Sequence, residues 1–164
     1  MDLLYITIIL STLLCSLAAG LTLAFAVIVM PGIRTLDDHD YLRAFAVLDR
    51  VVQNHSPLFI LVWAGSIVAV LMMLVLGSLH AEGAGRLLIW IAGAAYILGV
   101  QLPTVVVNVP LNNALQRHDL AAMSASQLRT ARENFEPRWV RWNAIRTFFA
   151  VFSSALLIIL VFGL

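Results

Sequence analysis

The sequence predicts an all-α integral membrane protein, a four-helix bundle folded as a single transmembrane domain over 1–164. Composition is the first sign: 164 residues that are 62% hydrophobic and 12% charged, against about 45–50% apolar and about 25% charged in soluble domains. The mean hydropathy of +0.96 agrees. The third sign is that charged residues cut the chain into four long uncharged runs, 3–33, 51–81, 87–116 and 147–164. A span needs roughly 20 residues, so four spans and their connections leave no room for a separate soluble domain.

Taken in order, the spans are expected near 4–30, 57–79, 87–108 and 141–163. The first three runs are long enough to cross with residues to spare. The fourth run, of 18 residues after Arg146, covers only roughly 27 Å at about 1.5 Å per residue, just under the hydrocarbon thickness of about 30 Å. Arg146 therefore belongs at the edge of the apolar slab or inside it. A signal peptide is not expected, because Asp2 stands where a basic region would be and the apolar run after it is too long. Cys15 is the only cysteine and makes no intrachain disulfide.

All ten basic residues are Arg, and their placement matters more than the net charge of +1, which points to no nucleic acid. Arg34, Arg43 and Arg50 fall in the first connection, and Arg117, Arg129, Arg132, Arg138, Arg141 and Arg146 in or beside the third. Nine of the ten thus lie on one side, which the inside-positive bias makes cytoplasmic. Both termini are then external, and the expected location is a bacterial inner (plasma) membrane. The second connection, His80 to Arg86, reads as a turn through Glu82-Gly83-Ala84-Gly85.

The two long connections are expected to carry interfacial amphipathic helices near 38–53 and 125–136. In the first, Tyr41, Phe45, Leu48 and Val52 recur at helical spacing while Asp40, Arg43 and Arg50 lie elsewhere around the axis. Ser56 and Pro57 then read as cap and first residue of the second span. In the third connection, Ser124 and Gln127 have capping-box spacing, and Pro137 is expected to separate the interfacial helix from the last span. An offset of 79 residues places Gly20, Leu23, Val27, Pro31, Leu36, His39 and Asp40 on Gly99, Leu102, Val106, Pro110, Leu115, His118 and Asp119. The chain therefore reads as two copies of a two-span unit, with His39 and His118 expected at equivalent helix starts.

Polar groups at a membrane are costly to desolvate, so their distribution is the best functional signal. Arg34, Asn54, His55, Asn108, Asn112, Asn113, Trp139, Trp142, Asn143 and Arg146 all gather at the cytoplasmic ends of the spans, and the outer halves are aliphatic. Asn108 and Asn112 share a helix face. Trp139, Trp142, Asn143 and Arg146 follow an i, i+3, i+4, i+7 stripe. A polar pocket opening to the cytoplasm between the third and fourth spans follows, with the side-chain oxygens of Asn108 and Asn112, carbonyls freed near Pro110 or an anionic substrate oxygen as the expected acceptors for Arg146. The plainer reading is also open: Trp139, Arg138 and Arg141 suit an interfacial belt, and the Asn residues can simply bond neighbouring helices.

Metal readings are weaker. His39, His55, His80 and His118 all lie outside the middle of a span, where a haem-ligating pair would be expected, and copper or zinc through His55 with His39 or His118 rests on no diagnostic spacing. No nucleotide-binding Gly-rich loop is present.

Three motifs carry a resemblance: Val-Met-Pro-Gly at 29–32, Asn-Val-Pro-Leu-Asn-Asn at 108–113 and Trp-Val-Arg-Trp-Asn-x-x-Arg at 139–146. With them the chain resembles, over nearly its whole length, the anthrone oxygenase-like family of small four-helix membrane proteins. The resemblance implies a membrane oxygenase that inserts oxygen at the activated methylene of a polyketide anthrone, with no metal, flavin or other cofactor needed. It carries across Asn108, Asn112, Asn113, Trp142, Asn143 and Arg146, without settling their roles. An anthrone is already acidic at its methylene, so such an enzyme can hold it, stabilise the enolate oxygen and admit O₂. Arg146, Asn112 and His55 are the catalytic candidates, His55 as base; Asn108, Asn113, Trp139, Trp142 and Asn143 are the candidates for substrate binding. The partner expected is a lipid-soluble aromatic or quinone-like small molecule, beside membrane lipid and a homo-oligomer contact. A non-catalytic binding, transport or assembly role for the same membrane is the competing reading.

The Arg asymmetry generates a topology prediction. Reporter fusions in the first and third connections should be cytoplasmic and a tag at Leu164 external; a cytoplasmic C-terminus would overturn the orientation.

Overall fold

A computed structural model describes residues 2–54 and 56–163. It is all-helical among these residues. Four helices are long and apolar enough to cross a membrane: α1 Leu3–Ile33, α3 Pro57–His80, α4 Gly83–Gln116 and α5 Ala125–Gly163. The remaining helix, α2 Asp38–Gln53, lies between the first two, and a short 3₁₀ turn, Leu120–Ala122, precedes α5. Around the bundle α1 packs on α3 and α5, and α4 closes the ring between α3 and α5. Side chains on the outer faces, such as Leu13, Ile28, Val68 and Leu98, are exposed and belong to lipid.

Local chemistry explains most helix ends. Asp2 caps α1 by accepting from the Leu4 N–H at 3.4 Å, and Asp37 caps α2 by accepting from Asp40 N–H at 2.9 Å. Pro57 sits in the first turn of α3 as expected, although Ser56 makes no side-chain cap bond. The Ser124–Gln127 capping box forms: Ser124 N–H donates to Gln127 Oε1 at 2.8 Å, and Gln127 N–H to Ser124 Oγ at 3.4 Å. Between α3 and α4 the turn is tighter than the sequence suggests, because α4 already begins at Gly83, whose φ of 52° is a left-handed value that glycine adopts without cost.

Three prolines reshape the spans without breaking them. Met30 N–H bonds the Phe25 carbonyl, Leu102 N–H that of Ile97, and Val109 N–H that of Thr104. Each is a five-residue reach that closes a π turn, and each ends one residue before Pro31, Pro103 or Pro110. A proline ring collides with the carbonyl four residues earlier and offers no N–H, and widening the preceding turn relieves both problems. The turns Phe25–Val29 and Thr104–Asn108 lie 79 residues apart, at the offset noted above. Beyond them the two halves diverge. His39 is in the first turn of α2, but His118 lies in the turn after α4, and the next long helix starts only at Ala125.

Pro137 does not separate an interfacial helix from the last span: α5 runs unbroken through it for 39 residues. Contacts in the turn just before Pro137 hold the helix in place. Arg132 Nε bonds Glu136 Oε2 at 2.8 Å, and its two Nη atoms reach the Leu36 and Arg34 carbonyls at 2.9 Å each, with Asp38 Oδ1 at 3.1 Å. The guanidinium also lies 4.2 Å from the centre of the Tyr41 ring. Burial, then the Glu136 charge, keep the Tyr41 phenol well above its ordinary range and therefore neutral. Arg34 Nε adds Glu136 Oε1 at 2.6 Å.

Two apolar cores result. One, remote from the two long connections, holds Ile8, Cys15, Val70, Met73, Ile89, Tyr96 and Leu157. The other, at the end where α2 docks, holds Met30, Tyr41, Leu42, Phe45, Leu115, Phe135 and Trp139. Within the first, small residues bring backbones together, and a Cβ added to Gly99 would lie 2.6 Å from Phe149 Cβ and against its ring. Gly99→Ala should therefore destabilise the protein by about 1–3 kcal/mol, since neither partner is a flexible tip. Thermal unfolding in detergent measures this, and an unchanged midpoint would contradict the packing.

Candidate functional site

Between the two apolar cores lies a polar layer, and a cavity of about 210 Å³ opens within it. The layer is built first from α4. Gln101, Thr104, Asn108, Asn112 and Gln116 form one ladder down its inner face, at spacings of three and four residues that the π turns adjust. From α5 come Trp139, Asn143 and Arg146; from α1, Thr22 and Phe25; from α2, Phe45, Asp49 and Val52; from the start of α3, Phe59 and Trp63. The walls thus hold five aromatic side chains together with one cation, one carboxylate and a few amides. The cavity exceeds the ~150 Å³ that admits benzene and falls short of the ~300 Å³ typical of drug-sized ligands.

Arg146 is only 7% exposed. Its Nη1 donates to Thr104 Oγ1 at 3.1 Å and its Nη2 to Asn143 Oδ1 at 2.7 Å. Asn143 Nδ2 in turn donates to the Thr22 carbonyl at 3.0 Å, which fixes the amide so that its oxygen faces the guanidinium. The acceptors expected from the sequence, Asn108 and Asn112, are not the ones used. Thr104 lies one turn nearer on the same α4 face, so it meets the guanidinium first. Arg146 has no carboxylate within ion-pair distance among the described residues, and its Nε has no partner. Its charge is met only by neutral dipoles and the Trp139 ring, whose centre is 5.7 Å away.

A second chain of bonds starts at Trp139. Its Nε1 donates to Asn112 Oδ1 at 2.9 Å, and Asn112 Nδ2 donates to Asp49 Oδ1 at 2.7 Å. Asp49 also accepts from Gln53 Nε2 at 2.7 Å and Gln116 Nε2 at 3.0 Å, both through Oδ2. Sequence reasoning missed the aromatic residues Phe25, Phe45, Phe59 and Trp63 of the wall and, among the groups that bond the polar layer, Thr22, Asp49 and Thr104. Thr104 could have been found four residues before Asn108. Asp49 could have been found four residues after Phe45, had the buried face of α2 been drawn through Leu42 and Ala46 rather than Leu48.

Two rungs of the ladder, Gln101 and Asn108, carry buried amides without a partner, and of the two only Asn108 reaches the cavity. It is 2% exposed, lines the cavity, and neither its Oδ1 nor its Nδ2 has a partner. The rungs on either side, Thr104 and Asn112, are both bonded. Two expected residues lie elsewhere. Trp142 faces a separate apolar groove with Ala94, Leu98, Pro103 and Phe149, because its 100° step around α5 turns it past the cavity. Asn113 is exposed and accepts from Gln53 Nε2 at 3.3 Å. His55 lies outside the described residues. Of the other histidines, His39 and His118 line a shallow basic groove with Arg43 and Arg50, away from the cavity. The grouping of Asp37, His39 and Asp40 within 4.8 Å is largely exposed, and Asp37 already serves as the α2 cap.

A family model for anthrone oxygenase matches residues 45–156. The chain belongs to the anthrone oxygenase family. The matched segment runs from Phe45 on α2 through α3 and α4 to past Arg146, and so contains most of the cavity wall. No curated protein and no solved structure matches the chain.

Asn108 gives a test of the site as a site. An amide buried without partners costs about 1–3 kcal/mol. Asn108→Leu, of similar volume, should raise the stability of the ligand-free protein by about 1 kcal/mol or more, a gain expected where a residue serves binding at the expense of folding. A drop in melting temperature would mean that the amide is bonded and structural.

Proposed function

We propose that this family member is a membrane-embedded oxygenase acting on a flat, lipid-soluble carbon acid of the anthrone or quinone-like type. The observation that carries the reading is Arg146: a buried guanidinium with a free Nε, no carboxylate partner among the described residues, and a place in the wall of an aromatic-lined cavity. A lone buried cation is costly unless an anion joins it, and an enolate oxygen supplies one when the substrate loses a proton. Phe25, Phe45, Phe59, Trp63 and Trp139 offer ring faces for a planar body. Asn108 offers both a donor and an acceptor to the substrate's polar edge.

The chemistry then needs little from the protein beyond positioning. With the enolate oxygen held at Arg146, electron density rests on the methylene carbon, which reacts with O₂ to give a hydroperoxide and then, with loss of water, a ketone. The family resemblance supports this reaction. The nine Arg at one end support a cavity that faces the cytoplasm in a bacterial plasma membrane.

The experiment uses purified protein in lipid nanodiscs, unsubstituted anthrone, and O₂ uptake with quinone absorbance as readouts. Arg146→Gln should lower turnover by about 100-fold or more. Stability should change little, because Gln can still donate to Thr104 or Asn143 and no ion pair is broken. Wild-type turnover in the Gln variant would refute the role given to Arg146, and saturable binding without turnover by the wild-type protein would favour a carrier.

A further inference from the structure

We infer that Asp49 is the proton acceptor of this cavity, the carboxylate that takes the methylene proton from the bound carbon acid; the inference rests on the oxygenase reading above. Among the described lining residues Asp49 is the only carboxylate, and no histidine is among them. It is 6% exposed and has no cation within ion-pair distance. Three neutral amides hold it instead, Asn112 on Oδ1 and Gln53 and Gln116 on Oδ2. A carboxylate has about four lone-pair sites, so the fourth, on Oδ1, remains for a substrate hydrogen. Neutral donors orient the group without locking it in an ion pair that proton transfer would have to break.

The charges also balance. Asp49 and Arg146 share the cavity wall without forming an ion pair, so the cavity presents an anion and a cation to one ligand. When the C–H bond breaks, the proton forms an O–H bond on Asp49 and the electron pair moves through the carbon framework to the carbonyl oxygen beside Arg146. The negative charge passes from Asp49 to the substrate, and the site's net charge does not change. The carbanion carbon then bonds to O₂, and protonated Asp49 returns its proton to the peroxide oxygen. Removal of the second methylene hydrogen by Asp49 expels hydroxide as the O–O bond breaks. Hydroxide recovers that proton as water, leaving the ketone and the original carboxylate. The methylene has lost two electrons to each oxygen atom of O₂.

The competing role is structural, three amides on one carboxylate fastening α2 to α4. Proton removal without oxygen separates the two. Protein in nanodiscs, kept free of O₂ in D₂O, is given anthrone, and methylene deuteration above the protein-free rate is followed by mass spectrometry, with quenching of tryptophan fluorescence as the binding readout. Wild type should accelerate exchange; Asp49→Asn should lose at least about 100-fold of that acceleration while quenching persists, and Asp49→Glu should recover part of it. Asp49→Glu keeps the carboxylate but lengthens its stem, and it decides the matter should Asp49→Asn fail to fold. Wild-type acceleration that survives in Asp49→Asn, or that Asp49→Glu leaves undiminished, overturns the role of Asp49 and leaves the oxygenase reading intact. A wild-type protein that neither binds anthrone nor accelerates exchange removes both.

Discussion

A guanidinium enclosed at the edge of an apolar slab must be surrounded by dipoles, and the interior of this bundle is arranged around that requirement. Arg146 lies buried on the inward face of α5. Thr104 and Asn143 are therefore brought to it, and Thr22 to Asn143, so that α1, α4 and α5 meet at one level through polar contacts. The apolar core is divided in two by this layer. Hydrocarbon-like packing holds the far half, where Ser66 bonds Tyr96 at 2.6 Å and Ser153 donates to the Ala92 carbonyl at 2.9 Å, while the Ser11 and Ser154 hydroxyls have no partner. The near half is stapled by aromatic contacts, with Trp139 against Phe25 and Phe45.

The prolines set where the layer can form. A straight α4 would carry Thr104, Asn108 and Asn112 on a slowly drifting line, whereas its two π turns re-phase that line inward twice within a dozen residues. The wider turns also keep α4 from closing against the start of α3. Space that a regular bundle would fill with side chains is left as a cavity bounded by Phe59 and Trp63 on one side and Asn108 and Val109 on another.

Much of the architecture was legible in the sequence because membrane spans obey a single strong rule, that uncharged runs of sufficient length become helices. The four spans, the docking of 38–53 as a helix and the capping box at Ser124 follow from such local rules. The uninterrupted α5 did not, since a proline's usual effect is local, whereas the clasp of Arg132 and Glu136 that keeps the axis straight depends on carbonyls of Arg34 and Leu36 about a hundred residues away. Arg146, Asn143, Asn108, Asn112 and Trp139 were visible as polar residues in apolar company. Asp49 was not, because on a helix already rich in charge one more acid looks solvated, and only the packing of α2 against α4 turns it inward. Trp142 shows the converse failure: a stripe of helical spacing is broader than the face of a cavity.

The continuity of α5 ties two distant places to one rotational phase. Its first turns are gripped by the loop after α1 through Arg132, and its middle carries Asn143 and Arg146, with no hinge between. Each residue advances a helix by about 100°, so one residue gained or lost between 137 and 143 would swing the guanidinium out of the polar layer and toward lipid, whereas four would nearly restore it. The spacing from clasp to cation is thus fixed in the manner of a gear tooth, by angle as much as by length.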